Sequence, residues 1–362
     1  MDLTPQFTEF LKNIRLTDNQ RSQLQTGHKT LRDRLAADQD LREITVSTFL
    51  QGSYVRYTAT RPKDGQRADA DIIVVTNLSE AEYAPRAAME LFVPFLDEHY
   101  EGKYRFQGRS IGIEMSYVDL DIVLTSAPSE VEEGHLAKAA SEGILSLNEA
   151  VDLWFEEARA KGRSQPAWKV EPLRIPDRDA GEWQDTHPLE QINQTQEKNK
   201  ACNGHYVNVV KALKWWRRLN PEPKHPKGYP VEHLVWVCCP DGIESVAEGV
   251  VKTLEEMVLR YDGYAVVGLV PFVRDHGVNQ NVLGRVSADD FKGFMGLVKE
   301  AADLARRAYD STSKEESGER WRELFGSRFP EPPKPGNDEG GGSQGGYTPR
   351  KGATTVGVGT FG

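Results

Sequence analysis

Two carboxylates and a Gly-Ser pair have the residue types and the spacing for phosphate chemistry. Gly52-Ser53 follows an apolar segment, and Asp69 and Asp71 open another. Side chains two residues apart on a strand point to the same side, so we expect both carboxylates to project together. Converging carboxylates repel one another unless a divalent cation neutralises them, and magnesium prefers such all-oxygen sites. The spacing predicts a phosphate-transfer site with two Mg²⁺ ions, or Mn²⁺ in their place.

A third carboxylate is expected from the segment 117–125, where Asp119 and Asp121 share one strand face. We favour Asp121 because an unbroken apolar run follows it, as expected for a carboxylate at the edge of a core strand. In such a site one ion would lower the pKa of an attacking hydroxyl, and the other would hold a donor triphosphate. Gly52 would let the backbone approach a phosphate, and Ser53 would donate hydrogen bonds to it.

The elements around these residues predict an α+β chain with two lobes and a tail. We expect a catalytic lobe over 1–190, with its N-terminal helix packed across both lobes, a helical lobe over 191–330 and a flexible tail over 331–362. Thr17-Asp18 is a candidate N-cap, and Leu24, Leu31 and Leu35 fit a helical stripe. The remaining predictions are helices over 6–37, 83–99, 132–162, 195–219, 230–239, 243–259 and 287–309, strands over 103–107, 110–118 and 119–125, and a long loop over 163–190.

Composition limits the classes of protein that the chain could be. Its 362 residues carry a net charge of −10, which disfavours binding to long nucleic acid. No apolar stretch is long enough to span a membrane, and the N-terminus has no secretory pattern. Three cysteines, two of them adjacent, cannot form a disulfide framework. We expect a cytoplasmic monomer that does not bind membranes.

Several blocks resemble the bacterial cGAS/DncV-like nucleotidyltransferases, or CD-NTases. The Gly-Ser/Asp-x-Asp signature marks the wider polymerase-β-like superfamily, and later blocks narrow it to CD-NTases. The resemblance covers about residues 5–330. The matching blocks are 52–75, 116–125, Val209-Val-Lys-Ala-Leu-Lys-Trp-Trp216, Asn279-Gln-Asn-Val-Leu283 and the closing segment 321–330. CD-NTases make cyclic oligonucleotide signals in anti-phage defence, so the resemblance implies template-independent synthesis of a cyclic di- or trinucleotide from ATP and/or GTP.

The resemblance also implies roles for single residues. Gly52 and Ser53 would hold donor phosphates, and Asp69, Asp71 and Asp121 would bind magnesium. Lys211 or Lys214 would reach the triphosphate, and we favour Lys214 because it matches the family's lysine before a Trp. Gly228 stands where the family often has a phosphate-contacting serine. Arg56, Thr58 and Arg61 could touch phosphate or nucleobase, or could be solvated loop residues.

The resemblance and the tail together suggest partners. Residues 336–362 hold ten glycines and end in Gly362. Because some relatives are conjugated through their C-terminus, an E1/E2-like transferase could modify Gly362. The cyclic nucleotide would reach a downstream effector.

Two other classes of protein compete with a cyclic nucleotide synthase. A linear RNA or tRNA nucleotidyltransferase uses the same chemistry but needs a basic RNA-binding surface, and a non-catalytic module of this fold would be expected to have lost a carboxylate.

Overall fold

A five-stranded sheet forms the centre of the N-terminal half in the computed structural model, which describes residues 1–63, 65–126 and 171–332. The strands are β1 (Thr45–Gln51), β2 (Ala68–Thr76), β3 (Tyr104–Phe106), β4 (Ile111–Glu114) and β5 (Val118–Leu124). Their order across the sheet is β1-β2-β5-β4-β3. Only the β2–β5 pair is parallel; the other neighbours are antiparallel. The two central strands are therefore those that carry the predicted acidic residues.

Helices cover the sheet and make up most of the C-terminal half. They are α1 (Thr4–Ile14), α2 (Asp18–Ala37), α3 (Leu41–Ile44), α4 (Gly52–Val55), α5 (Pro85–Glu90), α6 (Val93–Tyr100), α7 (Pro188–Ala201), α8 (Tyr206–Leu219), α9 (Tyr229–Cys238), α10 (Val246–Val266), α11 (Ala288–Asp310), α12 (Lys314–Phe325) and a 3₁₀ turn at Gly326–Arg328. The predicted α+β class is confirmed.

The N-terminal region consists of two helices with separate packing rather than one continuous helix. Thr17 caps α2 through a capping box with Gln20, and this cap ends the irregular link after α1. The predicted stripe Leu24, Leu31 and Leu35 is fully buried in the core of the sheet. The apolar face of α1, in contrast, packs in the core of the C-terminal helices.

Aromatic packing joins the first helix to the end of the described chain. Phe7 of α1 makes edge-to-face contacts with Trp321 and Phe329, at ring-centroid distances of 5.0 and 5.2 Å. Phe10 stacks on Phe325 at 4.6 Å. Burial of several aromatic rings supplies a large hydrophobic free energy, so the predicted closing segment is an integral part of the helical core. The residue bounds of the two lobes remain a prediction.

The predicted irregular loop over 163–190 is wrong in its described part. A hairpin of β6 (Leu173–Asp177) and β7 (Glu182–Thr186) forms there, and α7 begins at Pro188. The prolines suggested a loop, but these two strands form only a short two-stranded sheet, where a proline such as Pro176 is tolerated more readily than in a central strand. Trp183 anchors the hairpin by donating a hydrogen bond to the Tyr83 carbonyl at 3.1 Å.

Some predicted helices begin and end at other residues in the structure, and two predicted segments lie outside the described residues. The helix predicted over 195–219 is two helices, α7 and α8, separated by a turn near Gly204, whose φ of 81° suits glycine. The helix predicted over 132–162 lies outside the described residues, as does nearly all of the tail over 331–362, including Gly362. None of the described helices has the length and apolar character needed to cross a bilayer.

Candidate active site

Parallel pairing of the two central strands brings the predicted carboxylates together. Asp71 of β2 lies directly opposite Asp121 of β5, and Asp69 lies opposite Asp119. Asp69 and Asp71 share one face of β2 because they are two residues apart. The register therefore makes Asp121 the direct neighbour of Asp71.

The two candidates for the third carboxylate have different surroundings. Asp119 forms an ion pair with Arg67, with Nε 2.7 Å from its oxygen. Asp121 forms no ion pair with any described residue; its Oδ1 accepts hydrogen bonds from the Gln107 amide at 3.0 Å and the Ser110 hydroxyl at 3.3 Å. Asp119 is thus already paired with a cation, whereas within the described part of the chain no cation contacts the carboxylate of Asp121 directly. This contrast supports Asp121 as the third carboxylate of the site.

Repulsion among the carboxylates is visible in their acidity. Burial, together with the charges of Asp69 and Asp121, raises the pKa of Asp71 to about 7. Burial likewise raises the pKa of Asp121, with the Ser110 hydrogen bond opposing it. A site that disfavours its own negative charges gains from a bound cation.

The donor set fits magnesium. Carboxylate oxygens are the hard ligands that this ion prefers, and the three side chains come from adjacent strands of one sheet. Among the described residues, no three acidic, His or Cys side chains already converge as a finished metal site. The metal-binding roles of these residues therefore remain a prediction.

Gly52 is required by the close approach of the turn to Asp71. A Cβ at position 52 would lie 1.8 Å from Asp71 Oδ2, and the Gly52 φ of 78° is strained for any other residue. Gly52 follows β1 directly and starts the short helix α4, so it fixes where Ser53 lies relative to the carboxylates.

Replacing Gly52 with alanine is expected to remove activity by displacing Asp71. Gly102→Ala is the matched control because Gly102 has a φ of 69° but nothing within 4 Å of a Cβ. Both variants should lose about 1–2 kcal/mol in free energy of unfolding from the left-handed backbone. Only Gly52→Ala should lose turnover, by roughly 100-fold, since a small misplacement of a reacting group has that effect. Urea denaturation measures the free energy of unfolding of each variant, and initial rates measure its turnover. Equal turnover in the two variants would contradict the role of Gly52.

Ser53 and Asp69 line a cavity of about 230 Å³, here called the inner cavity. Its other walls include Lys214 and Arg218 from α8 and Gly228 at the start of α9. Gly228 has a φ of 63°, and no side chain caps α9 there. The inner cavity therefore lies between the sheet and the helical half, with the Gly-Ser turn on one side and Lys214 on the other.

The two candidate lysines on α8 differ in position. Lys214 lines the inner cavity, whereas Lys211 is not among the residues that line it. Burial, together with the neighbouring cations Arg15 and Lys214, lowers the pKa of Lys211 to about 8. The structure thus favours Lys214 for a phosphate contact, as the sequence did, although the contact itself remains a prediction.

A buried carboxylate, Glu232 of α9, was missed as a functional residue. Its side chain accepts hydrogen bonds from Arg56 Nε at 2.6 Å, Thr58 Oγ1 at 2.8 Å and Lys214 Nζ at 3.3 Å. Glu232 is 2% exposed and Arg56 is 6% exposed. Although burial would raise the pKa of Glu232, the charges of Arg56 and Lys214 and the hydrogen bonds outweigh it and lower the pKa to about 2.

This network changes the interpretation of the loop residues. Arg56 and Thr58 are not solvated; they are buried and hold Glu232, so a direct contact of either with a nucleotide remains a prediction. Arg61 donates from Nε to the Arg15 carbonyl at 3.1 Å, which ties it to the link between α1 and α2. The signal for Glu232 was present in the sequence: a glutamate within the largely apolar segment 231–239 must find buried partners.

Comparison with known proteins shows the family of the chain and agrees with its fold. Residues 1–126 match the family described as the Second Messenger Oligonucleotide or Dinucleotide Synthetase domain. The chain is 45% identical to a cyclic AMP-AMP-GMP synthase of Enterobacter hormaechei, with both chains fully covered. It is 30% identical to a cyclic AMP-AMP-AMP synthase of an Acinetobacter strain, over 91% of this chain and 86% of that one.

A solved structure shares the fold at low sequence identity. The CD-NTase CdnG of Bradyrhizobium diazoefficiens, solved with GTP, matches with a TM-score of 0.64 at 13% identity, over 90% of this chain and 95% of that one. The chain belongs to the cGAS/DncV-like nucleotidyltransferases. It is an enzyme, a cyclic oligonucleotide synthase, as the resemblance implied.

Proposed function

We propose that this enzyme joins ATP and GTP into a cyclic trinucleotide, cyclic AMP-AMP-GMP, as a signal in anti-phage defence. The observation that carries the proposal is 45% identity over the whole length of a synthase named for that product. The acidic site supports it, since Asp69, Asp71 and Asp121 are all present and are placed on adjacent strands.

Each step of the proposed reaction is assigned to particular residues of the chain. Ser53 and Lys214 both line the inner cavity, where they would hold the phosphates of the donor nucleotide. Asp121 would help to deprotonate a ribose hydroxyl of the acceptor. The hydroxyl oxygen forms a bond to the donor α-phosphorus, the bond from that phosphorus to the bridging oxygen breaks, and pyrophosphate leaves with the electron pair. Magnesium held by the three carboxylates would supply charge neutralisation and lower the pKa of the hydroxyl. Two further transfers on the linear intermediate close the ring.

The proposal is tested by the identity of the product. The purified chain is incubated with magnesium, ATP and GTP, each labelled in turn on the α-phosphate, and then with phosphatase. We expect one phosphatase-resistant product whose mass corresponds to two adenosine and one guanosine monophosphate units. A phosphatase-sensitive ladder would favour the linear polymerase alternative, and a resistant product of another composition would overturn the trinucleotide assignment.

The predicted partners remain part of the proposal. Conjugation of Gly362 by an E1/E2-like enzyme concerns a residue outside the described part of the chain. The downstream effector and the monomeric state likewise remain predictions.

A further inference from the structure

A second cavity lies next to the inner cavity and is here called the outer cavity. It measures about 400 Å³ and shares Gln66, Lys214, Arg218 and Gly228 with the inner cavity. The two cavities are therefore neighbours that share part of their lining, including Lys214.

The lining of the outer cavity is strongly cationic, and none of the described residues that line it is acidic. Its six cations are Lys63, Lys214, Arg217, Arg218, Lys224 and Lys227. The chain as a whole has a net charge of −10, so this concentration of positive charge runs against its overall balance. Like charges around one space repel each other, and an anion bound among them relieves that repulsion.

Some of these cations stabilise the loop that lines the outer cavity, and others are free to bind a ligand. Arg217 is buried and donates to the Pro226 carbonyl at 2.9 Å and to the carbonyls of Asn220 and Pro223. It thereby holds the loop between α8 and α9, which carries Lys224 and Lys227. The ammonium groups of Lys63, Lys224 and Lys227 are exposed and form no ion pair or hydrogen bond within the described residues.

The lining also indicates the class of ligand. Among the described residues that line the outer cavity none is aromatic, and the sizeable apolar ones are Pro221 and Val231. A nucleobase needs a stacking surface, which aromatic side chains usually provide. A condensed phosphate needs only cations and room. The outer cavity therefore suits an inorganic phosphate chain better than a nucleotide.

We propose that the outer cavity binds the inorganic pyrophosphate that each transfer releases, and so draws it out of the inner cavity. This inference rests on the proposed function, because that reaction is the source of pyrophosphate. Flexible lysines are suited to the task, since they bind phosphate as mobile point charges without fixing one geometry. Pyrophosphate bound there would leave the inner cavity free for the next donor.

Direct binding tests the site without turnover. Inorganic pyrophosphate is titrated calorimetrically into the full chain in EDTA, with a variant that combines Lys224→Glu and Lys227→Glu. Its matched control combines Lys103→Glu and Lys200→Glu, two exposed lysines that line neither cavity. We expect the first variant to bind pyrophosphate at least about tenfold more weakly, and the control to bind as the unmodified chain does. Equal loss in both variants, no binding by the unmodified chain, or equally tight binding of sulfate would each overturn the proposal.

Kinetics separate this site from the donor's own phosphate contacts. In the Lys224→Glu/Lys227→Glu variant the inhibition constant of pyrophosphate should rise about tenfold, while the KM for ATP changes less than about twofold. An equal rise in both constants would assign these lysines to the donor triphosphate and overturn the inference. If the unmodified chain makes the cyclic product but does not bind pyrophosphate, only this inference is rejected. If it binds pyrophosphate but makes no cyclic product, the proposed function is rejected instead.

Discussion

Replacing Asp69 and Asp71 together with asparagine is expected to abolish cyclic product. Asparagine keeps the shape of each side chain but removes the negative charge that a divalent cation needs. The loss should be on the order of 1,000-fold or more, because several kcal/mol of charge stabilisation in the transition state disappear. Turnover is measured from α-labelled ATP with phosphatase treatment at saturating magnesium.

Stability distinguishes this loss from unfolding. Burial and mutual repulsion raise the pKa of Asp71, so removing two of the repelling charges should leave the melting temperature unchanged or raise it. Full turnover in the double variant would reject the assignment of the metal site.

The same assay decides between the two candidates for the third carboxylate. Asp121→Asn should lose activity to a similar extent, since Asp121 lies opposite Asp71. Asp119→Asn is the matched control: it sits on the same strand face, but its charge is already paired with Arg67 at 2.7 Å. We expect Asp119→Asn to keep activity within about threefold of the unmodified chain, as for loss of a partly exposed ion pair. A larger loss of activity in Asp119→Asn than in Asp121→Asn would instead assign Asp119 as the third carboxylate.

The acidic site could be predicted from sequence because local geometry determines it. The i, i+2 spacing of Asp69 and Asp71 fixes their shared face on any strand, and the Gly-Ser turn follows β1 directly in the chain. Which of Asp119 and Asp121 lies beside Asp71 depended on the register of two strands about fifty residues apart. The apolar run after Asp121 gave the preference that the observed pairing supports.

Features that depend on distant partners could not be predicted. Glu232 finds Arg56 across 176 residues of sequence, and no local pattern shows which cation will neutralise a buried glutamate. For the same reason Arg56 resembled a solvated loop residue. The β6–β7 hairpin was missed because Pro176 disfavours a strand locally, whereas its position in a two-stranded hairpin reduces the penalty.

Replacing Glu232 with glutamine is expected to destabilise the fold strongly. The change leaves the guanidinium of Arg56 and the ammonium of Lys214 buried without a counter-charge, which typically costs about 3–5 kcal/mol. Urea denaturation at pH 7 measures the free energy of unfolding. Glu9→Gln is the control, because Glu9 forms an exposed ion pair with Lys12 at 3.9 Å and should change stability by less than about 0.5 kcal/mol.

Two further measurements assign the Glu232 effect to charge rather than to shape. Adding Arg56→Met to Glu232→Gln should restore part of the lost stability, because the unpaired guanidinium is then absent. The pH dependence gives the second test. The folded state lowers the pKa of Glu232 from its usual 4.5 to about 2, so its contribution is complete above about pH 4.5 and is lost as the pH falls toward 2. The unmodified chain should therefore lose more stability across that interval than Glu232→Gln does, and parallel pH profiles would show that the carboxylate is not held by Arg56 and Lys214.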